Sequence, residues 1–231
     1  MYRLAKAWTA IVATLLLAPA AALAVLPPEM SDLVKVKSKR LAEVYLLPGT
    51  DFKAYKKVMI DPAQVSFNKN WQKDMKRSAS LTSGRISDDQ AKQIADAARS
   101  SVGEIFQETF KRAGYEIVTD PAADVLRLTP AIINLYINAP SGGAATRTYA
   151  MEAGEATLVL AVRDSVSGAL IGMALDKRDT RTAMAGAVIA NSVTNRAEFE
   201  VLFRRWAEIA VKGFNELREA PPVAAAAPGK K

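Results

Sequence analysis

The 231-residue sequence contains no cysteine and no histidine. Without cysteine the chain cannot form a disulfide, a thiolate nucleophile or a thiolate metal site. Without histidine it lacks the imidazole base of Ser-His-Asp and Cys-His enzymes and the most common zinc ligand. Aspartate and glutamate remain for acid–base chemistry or for binding hard cations. The two absences therefore exclude large classes of enzyme before any motif is considered.

The first 24 residues have the pattern of a secretory signal peptide. A basic start precedes an apolar stretch over residues 7–17, and residues 22–24 read Ala-Leu-Ala, a small-residue cleavage pattern. We expect cleavage after Ala24 and a periplasmic protein associated with the cell envelope, with no membrane span after cleavage. An uncleaved anchor is the alternative, because no charged residue interrupts residues 7–28.

The rest of the chain is predicted to form one folded domain. Half of the residues of the full sequence are hydrophobic and 24% are charged, which is typical of a globular protein. Residues 25–40 contain two prolines near their start, become rich in lysine and are expected to be an extended, solvated lead-in. Residues 220–231 are mostly Ala, Pro and Lys and are expected to be a disordered tail. This leaves a single domain over residues 41–219.

Two long amphipathic helices are predicted. The first covers residues 88–113, where Ser87 and Gln90 have the spacing of a capping box. The second covers residues 196–218 with Asn195 as its expected N-cap, and its broad aromatic stripe is typical of a helix packed on a sheet.

Strands are predicted between and before these helices. Pro130 falls inside the longest one, so we expect a bulge or an edge position there. The predicted strands are Val58–Ile60, Val65–Phe67, Tyr115–Val118, Val125–Ile137, Ala156–Val162 and Leu170–Leu175. The expected fold is therefore α+β, with a mostly antiparallel or mixed sheet of four to six strands and the two long helices packed on it.

Positive charge is concentrated near the start of the domain. Residues 35–77 hold 11 Lys or Arg against 4 Asp or Glu, with aromatic residues between them. Such a surface could bind an anionic envelope lipid or another envelope protein, whereas export makes nucleic acid an unexpected partner. The alternative is a solvated surface whose aromatics are used for packing. The candidate surface consists of Tyr55, Lys56, Lys57, Trp71, Lys73, Lys76 and Arg77.

Other polar clusters are interpreted as structural. The glycine-rich stretch 142–147 lacks phosphate-loop spacing and is expected to be a hairpin loop. Glu152 and Glu155 point to opposite faces of a strand, unlike a catalytic pair. Asp164, Asp176 and Asp179 flank a hairpin, where aspartate is common for turn reasons. No catalytic residue, cofactor or metal site is predicted.

Residues 181–193 form an unusually apolar stretch between a strand and a helix. They could be a mobile flap, a partner-binding segment or a short buried helix.

Several motifs resemble the bacterial domain of unknown function 3313 family. The resemblance covers about residues 42–218. The motifs are Leu47–Phe52, Tyr55, Val58, Ile60–Pro62, Phe67, Trp71, Gly114–Val118, Asp124–Arg127, Gly154–Ala156, Arg163–Ser165 and Gly168. Many members look like envelope lipoproteins, but this chain has no cysteine to carry a lipid. The resemblance implies a compartment and a fold, and no established activity.

These observations favour an exported protein that acts as a non-enzymatic binding or assembly module. One alternative is a carboxylate-dependent hydrolase or lyase acting on envelope glycans. The other is a structural envelope protein that self-associates through residues 181–193.

Overall fold

The computed structural model describes residues 28–78, 86–138, 149–150, 153–180, 188–189 and 192–222. The predicted signal peptide, the 142–147 loop and Glu152 lie outside the described residues, as do most of the 181–193 segment and of the C-terminal tail.

The described chain contains ten strands. In chain order they are β1 (Val34–Val36), β2 (Glu43–Leu46), β3 (Lys57–Ile60), β4 (Gln64–Phe67), β5 (Glu116–Ile117), β6 (Val125–Ile137), β7 (Tyr149–Ala150), β8 (Gly154–Asp164), β9 (Leu170–Asp179) and β10 (Val188–Ile189). All six predicted strands are present.

Eight of these strands form one mixed sheet in the order β1-β2-β9-β8-β6-β3-β5, with β4 also beside β6. Neighbours from β1 to β6 are antiparallel, whereas β3, β4 and β5 join by parallel pairing. The prediction of a mixed sheet is confirmed, but four to six strands is too few. The additional members, β1 and β2, are short and carry charged residues, so alternation is too brief to identify them. β7 and β10 pair separately.

Pro130 sits at an interruption of the sheet. β3 pairs with β6 up to Leu128, and β4 pairs with it from Ala131 onward. The carbonyl of Leu128 accepts the N–H of Asp61, so the backbone polar groups of Leu128 point toward β3 and β4. Because this direction alternates along a strand, those of Pro130, two residues later, point the same way. Pro130 therefore lies where neither β3 nor β4 needs a backbone N–H donor from β6, and its lack of an N–H breaks no hydrogen bond of the sheet. The bulge comes later, between Ile133 and Tyr136.

The three helices described are α1 (Trp71–Ser78), α2 (Asp88–Arg112) and α3 (Ser192–Glu219). α2 begins at the predicted capping box, in which Ser87 and Gln90 bond each other's backbone. α3 begins before the predicted start, so Asn195 is not its N-cap. Asn195 is buried inside the helix, and its side-chain amide donates to the Asn138 carbonyl at 2.9 Å. α1 is an additional short helix.

The main core lies between the helices and one face of the sheet. Alternate residues of β8, among them Ala156, Leu158 and Leu160, join α2 and α3 in one buried cluster. A smaller cluster covers part of the opposite face, where Leu33 and Met173 are buried against Val159 and Ala161. Leu33 and β1 belong to the stretch predicted to be a solvated lead-in, but both are part of the folded body.

No helix within the described ranges is long and apolar enough to cross a membrane.

Candidate functional site

A cavity of about 510 Å³ lies between the C-terminal half of α3 and the sheet. Its walls are mainly aliphatic, and its size is within the range of small-molecule sites in proteins. The sheet side includes Leu46, Leu126, Leu128, Leu160 and Ala174, and the helix side includes Ile209, Ala210, Gly213, Phe214 and Leu217. This is the candidate functional site.

The cavity arises from a change in side-chain size along α3. Phe199, Phe203 and Trp206 are all buried and occupy the space over the sheet as far as the middle of the helix. Ala210 and Gly213 follow on the side that lines the cavity, and a Cβ at Gly213 would have no atom within 4 Å. Small residues at these positions leave volume between the helix and the sheet that larger side chains would fill.

The outer edge of the cavity is basic. Residues 37–42, here called the mouth loop, connect β1 to β2. Lys37, Lys39 and Arg40 line the cavity and are exposed to solvent. The site thus joins an apolar interior to a cationic mouth, which is the arrangement that suits an amphipathic anion.

The backbone of the mouth loop is held at three points. The Ala42 N–H donates to Oδ1 of Asp176 at 3.0 Å, and Nη2 of Arg178 donates to the Arg40 carbonyl at 2.7 Å. The hydroxyl oxygen of Ser38 accepts the N–H groups of Arg40 and Leu41 at 3.2 and 3.1 Å. The bonds with Asp176 and Arg178 fix the loop to β9, and those of Ser38 hold the loop internally, while the cationic side chains remain at the mouth.

One ion pair spans the mouth. Nη1 of Arg40 lies 2.8 Å from Oε2 of Glu216, and the two side chains are 43% and 58% exposed. The hydrogen bond from Arg40 lowers the pKa of Glu216, and the charge of Lys39 adds to the effect. The same bond raises the pKa of Arg40. The guanidinium of Arg40 is therefore already paired with a carboxylate of the protein itself.

Glu216 is the acidic residue among the described residues that line the cavity, and it is paired with Arg40. Carboxylate-dependent glycoside cleavage needs two carboxyl groups across the scissile bond. The hydroxyl oxygen of Ser38 accepts hydrogen bonds from the backbone of the mouth loop.

Two residues of the sequence-predicted surface are buried. Tyr55 is 7% exposed, and its hydroxyl donates to Oδ2 of Asp164 at 3.1 Å. Burial first, and then this hydrogen bond, raise the pKa of Tyr55 to about 12. Trp71 is 0% exposed, stacks on Phe67 with ring centroids 4.1 Å apart, and donates from Nε1 to the Ile137 carbonyl at 2.9 Å. Neither ring is available to a ligand at the surface.

The predicted cationic residues fall into two separate groups. Lys56 and Lys57 lie at the start of β3, where Lys57 pairs with Val125. The other group, on α1, lies near Ile137 and consists of Lys73, Lys76 and Arg77. Val125 and Ile137 are the ends of the 13-residue strand β6. At ~3.3 Å per residue these ends are roughly 40 Å apart. The structure therefore does not bring the seven residues together in one surface.

Two of the hairpin aspartates, Asp164 and Asp176, have different surroundings. Asp164 accepts the backbone N–H of Ser167 at 2.7 Å, and the bonds from Ser167 are the main reason its pKa is lowered. Asp176 is buried on the helix-facing side of β9. Among the described residues, no group of three or more acidic side chains could hold a metal ion.

A second cavity, of about 260 Å³, lies between α2 and α3 beside Trp71. Its walls include Ile94, Phe199 and Phe203. Among the described residues that line it, Arg196 is the one cationic residue.

The basic residues that line the cavity differ from those of the sequence-predicted surface. Lys37, Lys39 and Arg40 were assigned to a solvated lead-in, whereas they line the cavity. The signal that could have indicated the site is the loss of bulk at Ala210 and Gly213 in an otherwise aromatic helical stripe.

Comparisons with known proteins give distant structural likenesses. A minor lipoprotein from Acinetobacter baumannii has 13% identity and a TM-score of 0.34, covering 71% of this chain and 95% of that one. A PelC dodecamer from Paraburkholderia phytofirmans has 12% identity and a TM-score of 0.32, covering 70% and 94%. A neuraminyllactose-binding hemagglutinin homolog from Helicobacter pylori has 12% identity and a TM-score of 0.35, covering 80% and 93%. At these values the likenesses carry no functional inference.

No curated protein matches the sequence. One protein family does, over residues 27–210, which is most of the chain. The resemblance found in the sequence motifs is thereby confirmed, and the chain belongs to the family described as Protein of unknown function (DUF3313).

Proposed function

We propose that this is an exported protein of the cell envelope that binds an amphipathic anion, without converting it, in the cavity beneath α3. The ligand has an alkyl chain and a carboxylate or phosphate head. The observation that carries the proposal is the aliphatic cavity of about 510 Å³ whose mouth is lined by Lys37, Lys39 and Arg40.

The two parts of the site match the two parts of such a ligand. Transfer of an alkyl chain from water to an apolar cavity is favourable by about 0.8 kcal/mol per buried CH₂ group. The head remains at the exposed mouth, where cationic side chains attract it and where the cost of burying a charge is avoided. A neutral head would lack this charge attraction, and a cationic head would be repelled by the three basic side chains.

Export is supported by the N-terminal sequence alone. The basic start, the apolar stretch and the Ala-Leu-Ala pattern of residues 1–24 are those of a cleaved signal peptide. Intact-mass analysis of the protein from the periplasmic fraction is expected to give a chain that begins at Val25. A full-length chain in the cytosol would contradict the location and leave the binding site to be judged separately.

The binding test uses decanoate as the probe and protein purified from cells expressing the full chain. Isothermal titration calorimetry is expected to show saturable binding at one site. Gly213→Leu places a side chain in the open space of the cavity and should weaken binding at least tenfold.

Gly103→Leu is the matched control, because Gly103 is also a helix residue with no atom within 4 Å of a built Cβ but does not line the cavity. It should bind decanoate like the wild type. Absence of saturable binding by the wild type, or equal binding by Gly213→Leu and the wild type, would exclude this cavity as the site.

A further inference from the structure

The side chain of Arg40 is available for exchange while its backbone is fixed. Within the described residues, Glu216 is the acceptor that the Arg40 guanidinium contacts, at 2.8 Å. A guanidinium has five N–H donors in a planar fork, so this single contact leaves most of its capacity unused. Meanwhile the Arg40 carbonyl is held by Arg178 at 2.7 Å, which keeps the residue at the mouth.

The ion pair is of a kind that breaks easily. Both side chains are about half exposed, and an exposed ion pair of this type contributes little to stability because water screens the two charges. Glu216 is on the solvent side of α3 and needs no protein partner when it leaves Arg40. A ligand anion can therefore replace it at small cost.

Resting on the proposed function, we infer that Arg40 binds the head of the anionic ligand and that the Glu216 carboxylate holds that position in the empty site. Binding exchanges one anion for another at the same guanidinium, so the charge at the mouth stays balanced. Glu216 moves into solvent, and Lys39 remains beside the bound head. Glu216 thus acts as an internal competitor that sets the affinity for anionic heads.

The inference predicts opposite effects of two substitutions on one class of ligand. Glu216→Gln removes the competitor and should tighten decanoate binding about two- to fivefold. Arg40→Gln should weaken decanoate binding several-fold. Neither should change the affinity for 1-decanol, which has the same chain and no charge. In the double variant Arg40→Gln/Glu216→Gln, the gain from Glu216→Gln should disappear.

A matched control is available in another exposed ion pair. Lys35 Nζ and Glu43 Oε1 are also 2.8 Å apart, with side chains 55% and 40% exposed, and neither residue lines the cavity. Glu43→Gln should leave decanoate binding unchanged.

The outcomes separate this inference from the proposed function. If the wild type binds decanoate more tightly than decanol but Glu216→Gln has no effect, the cavity binds the anion as proposed but the exchange at Arg40 is wrong. If Glu216→Gln weakens decanoate binding, the carboxylate supports the site instead of competing, and the inference is again wrong. If the wild type binds neither compound, the proposed function fails and this inference with it.

Discussion

The indole Nε1 of Trp206 donates a hydrogen bond to Oδ2 of Asp176 over 2.8 Å, between α3 and the sheet. The Trp206 residue is 0% exposed and Asp176 is 5% exposed. Because Oδ1 of the same carboxylate accepts the Ala42 N–H, one buried side chain connects α3, β9 and the mouth loop. The arrangement that forms the cavity mouth therefore depends on this contact.

Trp206→Phe should destabilise the fold more than Trp71→Phe. Both tryptophans are fully buried, and both donate one Nε1 hydrogen bond, at 2.8 and 2.9 Å. The acceptor of Trp206 is a carboxylate, whereas that of Trp71 is a neutral carbonyl. We expect a loss of about 1.5–3 kcal/mol for Trp206→Phe and about 1 kcal/mol less for Trp71→Phe in urea unfolding. Equal losses would show that the carboxylate has no special role.

Three glycine-to-alanine substitutions should differ in sign. Gly103 and Gly213 are interior helix residues with open space at the built Cβ, so alanine should stabilise each by up to about 1 kcal/mol. At Gly154 φ is +150° and a Cβ would lie 1.9 Å from the Tyr136 carbonyl oxygen. Gly154→Ala should destabilise by about 3 kcal/mol or more. Thermal unfolding of the three variants tests this, and a stabilising Gly154→Ala would contradict the close approach of β6 and β8.

Tyr55 should make stability depend on pH in the alkaline range. Its pKa is raised to about 12 from the usual 10, so the neutral phenol is favoured in the folded state. Its contribution is present below pH 10 and is lost as pH rises from about 10 to about 12. The unfolding free energy of the wild type should therefore fall relative to that of Tyr55→Phe as pH rises from about 10 to about 12.

Asp164→Asn gives the control for that titration. It removes the charged acceptor but leaves the burial that is the larger cause of the raised pKa. Absorbance titration of tyrosinate should therefore show the pKa of Tyr55 lowered only part of the way to 10. A complete return to the usual value would show that burial contributes little.

Ser87→Ala should remove about 1 kcal/mol of stability. Ser87 Oγ accepts the Gln90 N–H at 3.1 Å, and Gln90 Oε1 accepts the Ser87 N–H at 2.9 Å. Ser87→Thr retains the hydroxyl and should cost much less in the same urea experiment. A similar loss for both variants would mean that the cap hydroxyl is not what stabilises the start of α2.

Local sequence signals predicted the elements well. The spacing of Ser87 and Gln90 located the start of α2, and the alternation in residues 125–137 located β6, because capping and strand alternation depend on neighbouring residues only. The start of α3 was misplaced because Asn195 has the chemistry of a cap. Its side-chain amide instead donates to the carbonyl of Asn138, 57 residues away in the sequence, and no local pattern can indicate such a contact.

The composition of the sequence determined which chemistry is absent, and its periodicity determined that two long helices cover a sheet. Both are properties of short stretches, since residue type and spacing act within a few turns of chain. Only the tertiary structure decided which charges share a site. It separated Lys57 from α1 along the length of β6, buried Tyr55 and Trp71, and placed Arg40 against Glu216 across 176 residues of sequence. The physical reason is that a surface is defined by strand order and helix docking, which arise from long-range burial rather than from the order of residues in the chain.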